Sequence, residues 1–151
     1  MRNLLIPLVL CVTFAGCGAQ GPATIPVSGV VTFDGKPLSG AMITFVPQGD
    51  TSGRGGLAQT DDEGKFVART QDGKTIEGIA GLVPGQYKVL VNKLVKPDGT
   101  LFVPTEEQAP IDANAREVIP LPYSDFERTT LTAEVNEAVQ PLTFELRSRR
   151  S

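Results

Sequence analysis

Turn-forming residues cut the chain between Pro26 and Arg147 into short runs, and most of these runs alternate apolar with polar residues. Such runs are too short to hold as helices, since an isolated helix below about 12 residues is marginal in water. Period-two alternation between Gly, Pro, Asn and Asp clusters marks half-buried strands. Residues 27–33 are β-rich and end at Asp34-Gly35-Lys36-Pro37, a strong turn signal. Residues 41–46 follow, with Ile43 and Phe45 on one face and Met42 and Thr44 on the other, so a hairpin of strand, Asp-Gly turn and strand is expected. A short strand at 57–60, a turn at Asp61-Asp62-Glu63-Gly64 and a strand at 65–69 come next. After the turn Gln71-Asp72-Gly73-Lys74, Val83-Pro84-Gly85 leads into 86–92, where Tyr87, Val89 and Val91 share a face opposite Lys88, Leu90 and Asn92. Residues 93–126 contain five prolines, which forbid long regular pairing, and read as an excursion over one edge. Leu131, Ala133 and Val135, then Leu142, Phe144 and Leu146, form two closing strands. The expected fold is all-β, an antiparallel sandwich of about seven strands.

The first residues obey different rules. Arg2 precedes an apolar stretch over 4–15, too short to span a membrane, which takes about 20 residues. A charged start, a short apolar core and small residues at its end describe a secretion signal. A buried core helix is the alternative, and Pro7 with the Gly/Ala/Gln/Pro-rich sequence that follows argues against it. Phe14-Ala15-Gly16-Cys17 resembles the lipobox of bacterial lipoproteins, with Phe14 in place of the more usual Leu. The resemblance implies cleavage between Gly16 and Cys17 and acylation of the Cys17 thiol and amino group. An ordinary secretory cut with Cys17 incidental is the competing reading.

Cysteine usage fits the lipid. The chain has two cysteines, and Cys11 leaves with the signal, so the mature protein has no internal disulfide or thiolate metal cluster. A single acyl chain holds a protein only marginally and two hold it stably, so the multiply acylated form is expected on the membrane. Gly18 in place of Asp after the cysteine points away from inner-membrane retention and towards the outer membrane, facing the periplasm. The expected organisation is a signal peptide at 1–16, a tether at 17–25, the sandwich at 26–147 and a basic tail at 148–151.

The ordered series Val27-Ser28-Gly29-Val30-Val31, Asp34-Gly35-Lys36-Pro37-Leu38-Ser39-Gly40-Ala41, Thr60-Asp61-Asp62-Glu63-Gly64-Lys65-Phe66 and Pro84-Gly85-Gln86-Tyr87-Lys88-Val89 resembles the carboxypeptidase regulatory-like domain. That resemblance covers residues 26–92 and implies a sandwich of the Ig-like/transthyretin-like (prealbumin-like) type without catalysis of its own. Residues 119–146 are similar to the ending of small envelope lipoproteins that carry this domain. Physically, Gly35, Gly64 and Gly85 sit where tight turns call for positive φ, Leu38 is placed to pack the hairpin onto the core, and Thr60 and Asp61 can bond the backbone of their own turn.

Candidate chemistry is sparse. The sequence contains no histidine, which removes Ser-His-Asp and Cys-His catalysis and the commonest metal ligand. Asp61, Asp62 and Glu63 form the one dense carboxylate cluster, but without the spacing of a calcium-binding EF-hand loop, and a solvated turn is the favoured reading. Gly53-Arg54-Gly55-Gly56 lacks the Gly-Lys-Ser/Thr of a phosphate loop. Tyr123 and Phe126 are the plausible surface aromatics for a sugar platform, with packing of the excursion as their other use. The net charge of −3 becomes −4 when Arg2 is lost, and the short Arg147–Ser151 tail is no footprint for nucleic acid. The expectation is a non-enzymatic lipid-anchored envelope protein with no cofactor or metal, an interaction module for a protein or glycan. A carrier of carbohydrate or another small ligand is the alternative, and a hydrolase is a remote third class.

Overall fold

In a computed structural model, the described residues are 23–71, 78–138 and 141–148. They form β1 (Ser28–Phe33), β2 (Lys36–Pro37), β3 (Met42–Gln48), β4 (Gly56–Gln59), β5 (Lys65–Val67), β6 (Arg69–Thr70) and β7 (Ile79–Ala80). The second half contributes β8 (Gly85–Asn92), β9 (Leu94–Val95), β10 (Leu101–Phe102), β11 (Arg116–Glu117), one helical turn α1 (Leu121–Ser124), β12 (Thr132–Val135) and β13 (Leu142–Leu146). The fold is all-β and sandwich-like. Seven strands, β1, β3, β4, β5, β8, β12 and β13, have three or more residues, in line with the expected number.

One sheet runs β12-β8-β3-β4-β6-β7, and the other joins β13, β1, β2 and β5. Alternation decides what each strand buries. In β8, Tyr87, Val89 and Val91 are buried while Lys88, Leu90 and Asn92 are half-buried on the outer face. In β3, Ile43 and Phe45 point inward. The opposite sheet supplies Val31, Phe66, Phe144 and Leu146.

Four aromatic rings link the layers. Phe45 lies 6.1 Å from Phe66 and 6.2 Å from Tyr87, the latter edge to face, and Phe66 stacks on Phe144 at 6.0 Å and 13°. These are favourable ring separations, and each such pair adds about 0.5–1.5 kcal/mol beyond simple burial. The Tyr87 hydroxyl is carried inside because it donates to the Val83 carbonyl at 2.6 Å.

Three expectations are corrected. First, the Asp34-Gly35 turn joins β1 to the two-residue β2, not to β3, which pairs with β4 and β8 in the other sheet. The chain crosses between layers at 38–41, with Leu38 and Ala41 buried at the crossing. Leu38 thus packs onto the core as its position suggested. Second, the apparent strand over 65–69 is two strands: β5 pairs with β1, β6 pairs with β4, and fully buried Ala68 between them is where the chain changes sheet. Third, the pairing is not wholly antiparallel. β13 lies parallel to β1, from Gly29 opposite Leu142 to Phe33 opposite Leu146.

The excursion has more order than its prolines suggest. β9 pairs with both β10 and β11 in a separate three-stranded sheet, and α1 packs near β8. Glu117 holds the crossing point, its carboxylate accepting from Asn92 Nδ2 at 3.0 Å, Lys93 N at 2.9 Å and Ile119 N at 2.8 Å. Among the described residues, backbone pairing begins at Ile25, whose N–H and C=O both bond Leu82.

Candidate functional site

Gly16 and Cys17, the residues expected at the cleavage and lipidation site, lie outside the described residues, as do Arg149–Ser151 of the basic tail. The other candidates fall at three separate places in the fold.

The acidic turn is occupied by its own backbone. Asp61 Oδ1 accepts from Glu63 N at 3.0 Å and Lys65 N at 2.8 Å, and Asp62 Oδ1 accepts from Ser39 Oγ at 3.0 Å. Gly64 turns the chain with φ +73°, where a side chain would press on the β1–β2 backbone. Among the described residues no three His, Cys, Asp or Glu side chains are arranged to hold a metal. Asp61 therefore bonds its own turn as expected, whereas Thr60 does not. The Thr60 hydroxyl accepts from Ala41 N at 2.8 Å, tying β4 to the crossing before β3.

The glycine-rich loop enters β4. Gly55 has φ +82°, and Gly56 is buried against Leu82, so bare backbone is needed there for packing.

Tyr123 packs against the core, as the alternative use of the excursion required. Phe126 stays 41 % exposed, but Lys88 is committed to it: the Nζ lies 4.4 Å from the ring centroid and donates to the Phe126 carbonyl at 2.9 Å. This pins the excursion across β8 and occupies one face of the ring, leaving a poor sugar platform.

One concave feature went unread in the sequence. An open cleft of about 800 Å³ lies between β4 and β5, where the chain running back from β6 turns away from β4, lined by Met42, Leu57, Gln59, Lys65, Val67 and Arg69 among others. Val67 is 62 % exposed within it. A smaller hollow of about 140 Å³ lies beside it under β9 and β10, bounded by Leu94, Leu101 and Phe102, and shares Met42 and Gln59 with the cleft. No residue type announces these hollows, because they come from strands parting company.

Two titrating groups are shifted. Burial raises the Tyr87 phenol above its ordinary value. The hydrogen bonds from the Thr100 side chain and backbone lower the Asp98 carboxyl, in the exposed turn between β9 and β10. Neither shift creates a reactive group. Compared with known proteins, the chain matches no family model, no curated protein and no solved structure.

Proposed function

We propose that the chain is a non-enzymatic protein of the bacterial cell envelope, held to the membrane by lipid at Cys17, whose transthyretin-like β-sandwich is an interaction module. One observation carries the reading: the only cysteine beyond the apolar leader stands directly after Phe14-Ala15-Gly16. The polar stretch that follows suits a tether, and among the described residues pairing into the sandwich starts at Ile25. The absence of histidine from the sequence supports a binding role over hydrolysis. A carrier of carbohydrate or another small ligand is the second reading, and the open cleft beside Val67 is what favours it.

The test is Cys17→Ser in a bacterial host fed radiolabelled fatty acid. Wild-type protein is expected to take up label and sediment with membranes, and the variant to be unlabelled and released. A variant that stays on the membrane, with an unlabelled wild type, overturns the anchor.

A further inference from the structure

The cleft is a split in a β-ladder, and its backbone geometry defines a ligand class. β4 and β6 pair Gly56 with Thr70 and Leu57 with Arg69, a register that, carried two positions further, opposes Gln59 to Val67. Those two residues are not paired, because the chain leaves for the other sheet at Ala68. In an antiparallel ladder, hydrogen-bonded and non-bonded pairs alternate. The bond from Gln71 N to Gly55 O marks 55 and 71 as a bonded pair, so 57 with 69 and 59 with 67 are bonding positions too.

The flanking ladders agree. Thr60 N donates to Ala41 O, which makes Met42–Gln59 a non-bonded pair and turns the Gln59 N–H and C=O away from β3. Ala68 N donates to Val27 O and Val31 N to Gly64 O, which makes Ser28–Val67 non-bonded and turns the Val67 N–H and C=O away from β1. Two strand edges thus aim their backbone donors and acceptors into one open cleft. Unpaired edges of this kind are templates for another strand.

We propose that this split accepts an extended, acidic peptide segment of a protein partner, whose main chain bonds Gln59 on one side and Val67 on the other. The proposal rests on the reading of the sandwich as an interaction module. Main-chain pairing supplies affinity in such additions, and pockets for alternate side chains supply selectivity. Exposed Val67 with Met42 and Leu57 offers an apolar seat for one side chain of the peptide. Lys65 and Arg69 outnumber Asp61 on the lining, and an Asp61 oxygen is already engaged by its own turn, so the charge favours acidic flanks.

The test uses the full-length protein in detergent micelles and the synthetic peptide DEVTVE, acetylated and amidated. In the free protein, amide exchange by NMR is expected to be fast at Gln59 and Val67 and slow at Leu57 and Phe66. Peptide should slow exchange at Gln59 and Val67 at least tenfold. A peptide N-methylated at alternate amides should give no protection. Val67→Pro, which removes a donor without touching the β1 ladder, should weaken binding at least tenfold. Slow exchange at Gln59 and Val67 in the free protein overturns the proposal, as does equal protection by the N-methylated peptide. Protection by chitohexaose but not by DEVTVE overturns it in favour of a glycan. None of these outcomes touches membrane anchoring, which Cys17→Ser tests separately.

Discussion

Phe66 covers the bare Cα of Gly29, its partner across β1 and β5: a Cβ on Gly29 would lie 2.7 Å from the Phe66 ring. The Leu142 carbonyl of β13 closes on the same spot, and Phe66 in turn meets Phe45 and Phe144, so a methyl on Gly29 would press on both the β13 backbone and the aromatic rings. Gly29→Ala should cost about 1–3 kcal/mol, the usual range for overpacking, read as a lower urea midpoint at unchanged slope.

Tyr87 predicts alkaline sensitivity. Its folded-state pKa is raised by burial, so the stability it confers is complete below the unfolded value of about 10 and is lost as pH rises through the folded value. Tyr87→Phe should lose about 1–3 kcal/mol at neutral pH by leaving the Val83 carbonyl without its donor. The gap between wild type and variant should then narrow above pH of about 10. Urea unfolding from pH 7 to 11 reads both effects; a gap that widens with pH would refute the assignment.

Glu117 should control the excursion and little else. Glu117→Ala strands the Lys93 and Ile119 amides, at about 1–3 kcal/mol if they stay buried from water. Hydrogen exchange should accelerate across residues 93–126, with β1 and β13 unchanged.

Thr60 offers a matched test inside the sandwich. Thr60→Val keeps the shape and removes the acceptor of the Ala41 amide, which is fully buried. The expected loss is about 1–3 kcal/mol by chemical denaturation.

Side-chain periodicity made much of the fold legible. Tyr87, Val89 and Val91 face inward as their spacing requires, and Gly64 turns as its place after three acidic residues suggests. The run from Lys65 to Arg69 shows the limit of such patterns. Phe66 and Ala68 alternate like one strand, yet the first pairs in one sheet and the second ends that pairing. Nothing local distinguishes a strand that stays from one that changes partners, because partner choice depends on residues far along the chain. The parallel contact of β1 with β13 was hidden for the same reason.

The candidate site was less legible still. Asp61, Tyr123 and Phe126 drew attention through their functional groups, and each is engaged in holding the structure together. The cleft depends instead on peptide groups of Gln59 and Val67, and every residue has those. Their direction follows from register, which appears only when the strands are placed.

The parallel β1–β13 contact also has a mechanical consequence. Pulling on the chain ahead of β1 and beyond β13 draws the two strands in opposite directions along their common axis. The bonds from Gly29–Leu142 to Phe33–Leu146 then share the load in shear and cannot unzip singly. All five register positions must part together under such a pull, whereas an antiparallel pair of terminal strands would open one bond at a time.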